Sequence, residues 1–241
     1  MAAQKLEKAL YGPSLTEVIL GVILGLLAGV AGACVFLVFK PVKQVPVLPK
    51  EAAKEQFQNT VYFIPGSTLS GKARPWQAKQ KQFIAGTAVL LVEDELNAWA
   101  ASLPTATTAP AKPAKPGKPG KPGEVSSAPP PEGYIIPAAP NFRIVDGRLQ
   151  IGLNCTLNWY GLMQDVTVQA TGTFKKEGDQ FAFVPETVYL GSCPLHMLPS
   201  ASQLLLSTIA AKQKIPDEMR AAWAKLNNVT LEGSTLRLAV Q

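Results

Sequence analysis

Apolar and polar positions follow three rhythms along this 241-residue chain, and each rhythm predicts a different kind of element. From Val18 to Phe39 there is no alternation at all: VILGVILGLLAGVAGACVFLVF carries no charged side chain. At about 1.5 Å per residue such a run crosses a hydrocarbon core of roughly 30 Å. In lipid its backbone amides must be satisfied within the segment, so it reads as a transmembrane helix. A period of two governs the stretch from Leu149 to Tyr160, where Leu149, Ile151, Leu153, Cys155, Leu157 and Trp159 alternate with polar or small residues. Val166, Val168, Ala170 and Phe174 repeat the pattern, and a third strand is predicted over 180–190. These read as antiparallel meander strands with one wetted face. Shorter runs predict strands over 61–64, 87–92 and 236–240.

The helical rhythm appears in four places. Leu96, Trp99, Ala100 and Leu103 share one helix face, and Glu93, Asp94 and Glu95 fill the first turn, where the dipole favours acids. Residues 74–85 predict a basic helix with Pro75 in its first turn, Gly86 past its end, and Trp76 and Phe83 on one face. Two more helices are predicted over 200–212 and from Pro216 onward, the second aligning Met219, Ala222, Trp223 and Leu226. The fold class is therefore α+β: an N-terminal transmembrane helix followed by a curved antiparallel sheet with helices packed on one face.

The same reading divides the chain into a cytoplasmic tail (1–17), the span (18–39), a Pro- and Lys-rich stalk (40–60), and the first part of a soluble domain (61–103). A Lys/Pro/Gly-rich linker (104–133) and the main part of the domain (134–241) follow. The centre of the linker, AKPAKPGKPGKPG, repeats every three residues and sets Lys112, Lys115, Lys118 and Lys121 on one flank of a polyproline helix. It reads as a solvated spacer, with an anionic polymer or lipid as the alternative partner.

Charge sharpens the picture. The net charge is +6, and residues 40–86 alone hold eight Lys and Arg against two Glu. Bases gathered just after a span suit a membrane surface; a nucleic-acid reader would carry them on its folded domain, so no nucleic acid is expected. The positive-inside comparison of Lys5, Lys8 and the amino terminus with Lys40, Lys43, Lys50 and Lys54 is nearly tied. The short leading tail favours a cytoplasmic N-terminus. That makes this a single-pass protein of the inner membrane with an extracytoplasmic C-terminal domain. Ala31-Gly32-Ala33-Cys34 has the look of a lipoprotein cleavage site. However, Ala stands where Leu is usual, and the chain stays apolar beyond Cys34, which favours a retained anchor.

Candidate chemistry is sparse. Gly21, Gly25, Gly29 and Ala33 recur every four residues, a stripe for close helix–helix contact in a homo- or hetero-oligomer; glycine is also simply common in membrane helices. Gly66 to Lys72 has P-loop spacing, but Ala73 replaces the magnesium-binding hydroxyl and no alternating parallel β/α pattern surrounds it. His196 is the sole histidine, and Cys193-Pro194-Leu195-His196 offers zinc only two ligands. No catalytic residue, metal or other cofactor is expected. Cys155 and Cys193 are candidates for a disulfide in an oxidising compartment, or for two buried thiols. Leu149, Ile151, Leu153, Leu157, Trp159, Val166 and Val168 would line an apolar groove or fill an ordinary dry core.

From Phe142 onward, through GRLQIGLNCTLNWYG and VYLGSCPLHMLP to the helix pair and last strand, the chain resembles families of bacterial single-span membrane-anchored proteins. VLLVEDELNAWA resembles the strand and E-x-E-L-N helix start of those families and of some lipid-binding bacterial lipoproteins. The resemblance implies a tubular lipid-binding-like fold, in which a curved sheet wraps a long helix around an apolar groove. It brings no catalytic residues, and here the Lys-Pro linker separates the two matching parts. The expected function is a non-catalytic, membrane-anchored module binding membrane lipid or another amphiphile. The alternative is a structural or scaffolding subunit of an envelope complex.

Overall fold

The computed structural model describes residues 14–47, 60–103, 135–159, 162–198 and 200–240. The predicted linker, most of the tail and much of the stalk lie outside these residues.

Helix α1 runs Leu15–Phe39, three residues ahead of the apolar run. Ser14 sets that start: its hydroxyl accepts from Glu17 N and its own N–H donates to the Glu17 carboxylate, a reciprocal capping box. It is the one helix among the described residues long and apolar enough to cross a membrane, and most of its side chains are exposed. Within the stretch read as a stalk, β1 (Lys43–Gln44) pairs in parallel with β2 (Tyr62–Phe63).

The long alternating stretches become β6 (Arg148–Trp159), β7 (Leu162–Glu177) and β8 (Gln180–Leu190), an antiparallel meander. Two short strands, β4 (Ile135–Pro137) and β5 (Asn141–Val145), share the outer edge of β6. β9 (Cys193–Pro194) joins β8 at the far edge, so the sheet is open. The β7–β8 register shifts between Thr171 and Gly172, where Pro185 enters the ladder without an N–H to donate. Gly172 is required there, because a Cβ would collide with the Val184 carbonyl.

A second, three-stranded antiparallel sheet has the order β10 (Leu226–Glu232), β11 (Thr235–Val240), β3 (Val89–Val92). This corrects one expectation. Leu226 opens β10, where it pairs with Val240, rather than ending a helix face. The hairpin closed by Gly233 at φ +58° recruits it, because ladder hydrogen bonds outweigh one more helical residue. The remaining helices are α2 (Ser70–Ala73), α3 (Trp76–Ile84), α4 (Glu93–Ser102), α5 (Ala201–Lys212) and α6 (Asp217–Trp223).

The main sheet's apolar face is split between two cores. At one end Leu149 and Ile151 meet Val89, Leu236 and Leu238 of the second sheet, with Phe83 of α3 and Ala222 of α6. At the other, Leu153, Cys155, Val168 and Ala170 pack with Leu205 and Ile209 of α5, joined by Cys34, Leu37 and Val38 of α1.

Candidate functional site

Between the two sheets lies an apolar cavity of about 610 Å³. Leu149 and Ile151 form its floor; Val89, Leu91, Leu236 and Leu238 form the opposite wall. Helix α3 contributes Trp76 and Phe83, and α6 contributes Met219 and Trp223. Three of its lining rings pack together: Phe174 lies against Phe183 and Trp223 with centroids 5.8 and 5.6 Å away. The indole of Trp223 is held by its N–H donating to Phe181 O at 2.7 Å. The exposed side chains among the lining residues, Gln180 and Arg220, mark the mouth.

Two polar features interrupt the apolar wall. Glu95 is only 2 % exposed, and Lys79 Nζ lies 2.7 Å from its Oε1 while also donating to Leu90 O. Glu95 Oε2 accepts from Val92 N, so this ion pair completes backbone groups on the free edge of β3. Trp99 stacks on Phe142 at 6.4 Å, and its buried indole N–H has no hydrogen-bond partner among the described residues. An unmet buried donor costs about 1–3 kcal/mol, and here it sits on a side chain that lines the cavity.

Helix α4 closes the side of the cavity by fastening both sheet edges. Glu93 accepts from Ile144 N and Ser67 N, and Asp94 accepts from Ser67 Oγ and Leu69 N. Asn97 bonds Ser67 and Phe142. The E-D-E-L-N run is thus a clasp on the 66–69 loop and on β5. The same contacts occupy the P-loop-like stretch: Gly66 N donates to Asn141 Oδ1 at 2.7 Å, so its amides are directed at side chains rather than a phosphate. Gly66 is required because the Phe142 carbonyl fills the place of its Cβ.

Of the residues read as a groove, Leu149 and Ile151 line this cavity, and Leu153 and Val168 belong to the second core. Val166 is buried, bordering a shallow depression beside Ile136 and Gln44. Leu157 is half-buried between its partners Ile135 and Gln164, and Trp159 is the last residue of β6. Sequence reasoning missed the opposite wall. Leu236 and Leu238 flank Arg237 in an alternating stretch and Val89 to Val92 is a continuous apolar run, but nothing local says that they pair.

Cys34, Cys155 and Cys193 are free thiols, and Cys34 packs against the core that holds Cys155 and Cys193. Burial pushes the Cys155 thiol up to about 12. Burial, then the neighbouring Cys34 thiol, push Cys193 up to about 11, which keeps both protonated and poorly nucleophilic near neutrality. His196 places Nδ1 3.1 Å from Val188 O and packs edge-on against Tyr189. No group of three or more metal-binding side chains occurs among the described residues. Along α1, a Cβ at Gly21, Gly25 or Gly29 would meet nothing within 4 Å, and Ala33 is exposed, so that stripe is open. No family model, characterised protein or solved structure matches this chain.

Proposed function

We propose that the chain is a membrane-anchored, extracytoplasmic, non-catalytic module that holds a lipid or another amphiphile in the cavity between its sheets. The observation that carries this reading is the cavity itself: about 610 Å³, walled by aliphatic and aromatic side chains, within the range of small-molecule sites. Kept empty and sealed, such a volume would cost on the order of 15 kcal/mol, as much as a whole domain's stability. A container that opens beside Gln180 and Arg220 has no such penalty once an apolar group enters. Arg220 at the mouth suits an anionic or polar head, and the Trp99 N–H suits an acceptor oxygen. The tubular lipid-binding-like fold implied by the sequence resemblance belongs to the same proposal.

Native mass spectrometry of the full chain released from detergent tests it. A reproducible adduct of lipid mass is expected, and Ile151→Trp, which pushes an indole into the cavity, should weaken that adduct without lowering the thermal midpoint. Identical spectra for the two proteins would refute the reading. The alternative, a structural subunit of an envelope complex, is supported by the open Gly21, Gly25, Gly29 and Ala33 stripe. It predicts that Gly25→Leu weakens self-association in a membrane two-hybrid assay, while an unchanged signal would count against it.

A further inference from the structure

We propose that helix α5 and the turn before it are embedded in the lipid surface beside α1, seating the domain within the headgroup layer. This rests on α1 crossing the membrane.

The first observation is how α1 ends. The last four carbonyls of a helix have no partner within it, and in lipid no water supplies one. Phe36 O is met by Lys40 N, and Leu37 O is met by Ser192 N of the domain at 2.9 Å. Ser192 Oγ donates to Lys40 O. The β8–β9 turn can approach because Gly191 has no Cβ; one would collide with the Val38 carbonyl. The domain therefore supplies a backbone partner at the helix terminus and cannot stand off from it.

Depth follows from arithmetic. The uncharged run from Val18 to Phe39 measures about 33 Å, close to the hydrocarbon thickness of roughly 30 Å. Cys34, which packs against the core that holds Cys193, lies about 7.5 Å back from Phe39 along the helix axis. Side chains of the domain beside Cys34 thus reach below the level at which the run ends. That matches the 5–10 Å by which interfacial helices sink.

The outer surface of α5, whose inner face packs in the core that α1 joins, is suited to lipid. Met197, in the turn that follows β9, is 74 % exposed and Leu204 on α5 is 70 % exposed. The outward residues of α5 are Gln203, Leu204, Ser207, Ala210 and Ala211, with no charge before Lys212. A water-facing helix surface ordinarily carries charges. The hydroxyls of Ser207 and Thr208 both donate back to Leu204 O, at 3.0 and 2.7 Å, as hydroxyls in membrane helices do. At the far end, Lys212 donates to Ile135 O.

The test uses the full chain in phosphatidylcholine–phosphatidylglycerol vesicles, carrying Leu204→Cys, Met197→Cys or Lys175→Cys labelled with an environment-sensitive fluorophore. The unsubstituted chain, treated alike, gives the background from native thiols. Labels at 204 and 197 should emit to the blue and be quenched several-fold by phospholipids spin-labelled near the headgroup, while the label at 175 behaves as in water. If 204 and 197 match 175 while the chain resists alkaline carbonate, the seated domain is refuted and the anchor stands. Release by carbonate refutes both. Blue-shifted labels that lipid probes do not quench would mean that protein covers the face, which also overturns the proposal.

Discussion

Asn97 pairs with the backbone of Phe142 as a neighbouring strand would. Its Nδ2 donates to Phe142 O at 2.9 Å while Phe142 N donates to Oδ1 at 2.6 Å, the two-bond exchange of an antiparallel pair. The same Nδ2 also donates to Ser67 O, and Glu93 takes the next outward amide of β5, at Ile144. A helix thereby finishes a sheet edge that would otherwise invite another chain. Asn97→Leu should leave three backbone groups unpartnered and cost about 2–4 kcal/mol in urea denaturation of the detergent-solubilised chain. A loss below about 0.5 kcal/mol would show that the clasp is dispensable.

Two glycines should respond differently to alanine. At Gly66 the new methyl meets the Phe142 carbonyl, which is backbone held by Asn97. At Gly152 it meets the far end of the Phe63 ring, which can turn aside. Gly66→Ala is expected to lower stability by about 1–3 kcal/mol, and Gly152→Ala by clearly less. Thermal midpoints in the reverse order would contradict this account.

The Lys79–Glu95 pair should behave as a unit. Removing Lys79 leaves the Glu95 carboxylate buried with the Val92 N–H as its donor, at a cost of about 2–4 kcal/mol after discounting the partial exposure of the lysine. Lys79→Met combined with Glu95→Gln should be milder than Lys79→Met alone, and a double-mutant cycle measures the difference.

Trp99→Phe removes the unmet indole donor while preserving the ring stack on Phe142. The free chain should gain about 1 kcal/mol or stay level, whereas retention of a co-purified amphiphile should weaken. A stability loss with unchanged retention would place the Trp99 N–H outside ligand recognition.

The buried thiols give a pH signature. Unfolded thiols ionise near 9.0, while burial holds Cys155 up to about 12 and Cys193 up to about 11. Between those values the folded chain keeps protons that the unfolded chain has lost. The stability they contribute is therefore complete below pH 9 and falls as pH rises, by about 1.4 kcal/mol per unit for each thiol. Thermal midpoints should decline above pH 9, and less steeply in Cys155→Ala.

Where sequence and structure agree, the determinant is local. The uncharged run of α1, the period-two stretches of β6 and β7, and the helix over Glu93–Ser102 are each set by residues within a turn or two of one another. The α+β class followed from counting such elements. The acids of α4 were readable as dipole partners, but not as the clasp on β5, because Glu93 and Ile144 meet only after folding.

The short strands β4, β5 and β9 have no periodicity long enough to announce them, and Leu226 was drawn out of a helical pattern by its partner Val240. The cavity is the clearest case. Its floor was visible in the alternation of Leu149 and Ile151, but its opposite wall exists only because Leu91 pairs with Leu236 from the other end of the chain. By itself the sequence determined which residues avoid water, since that depends on each side chain and its near neighbours. Tertiary structure alone decided which apolar faces meet and how far apart they stand, because strand pairing and ring packing join residues with no local relation.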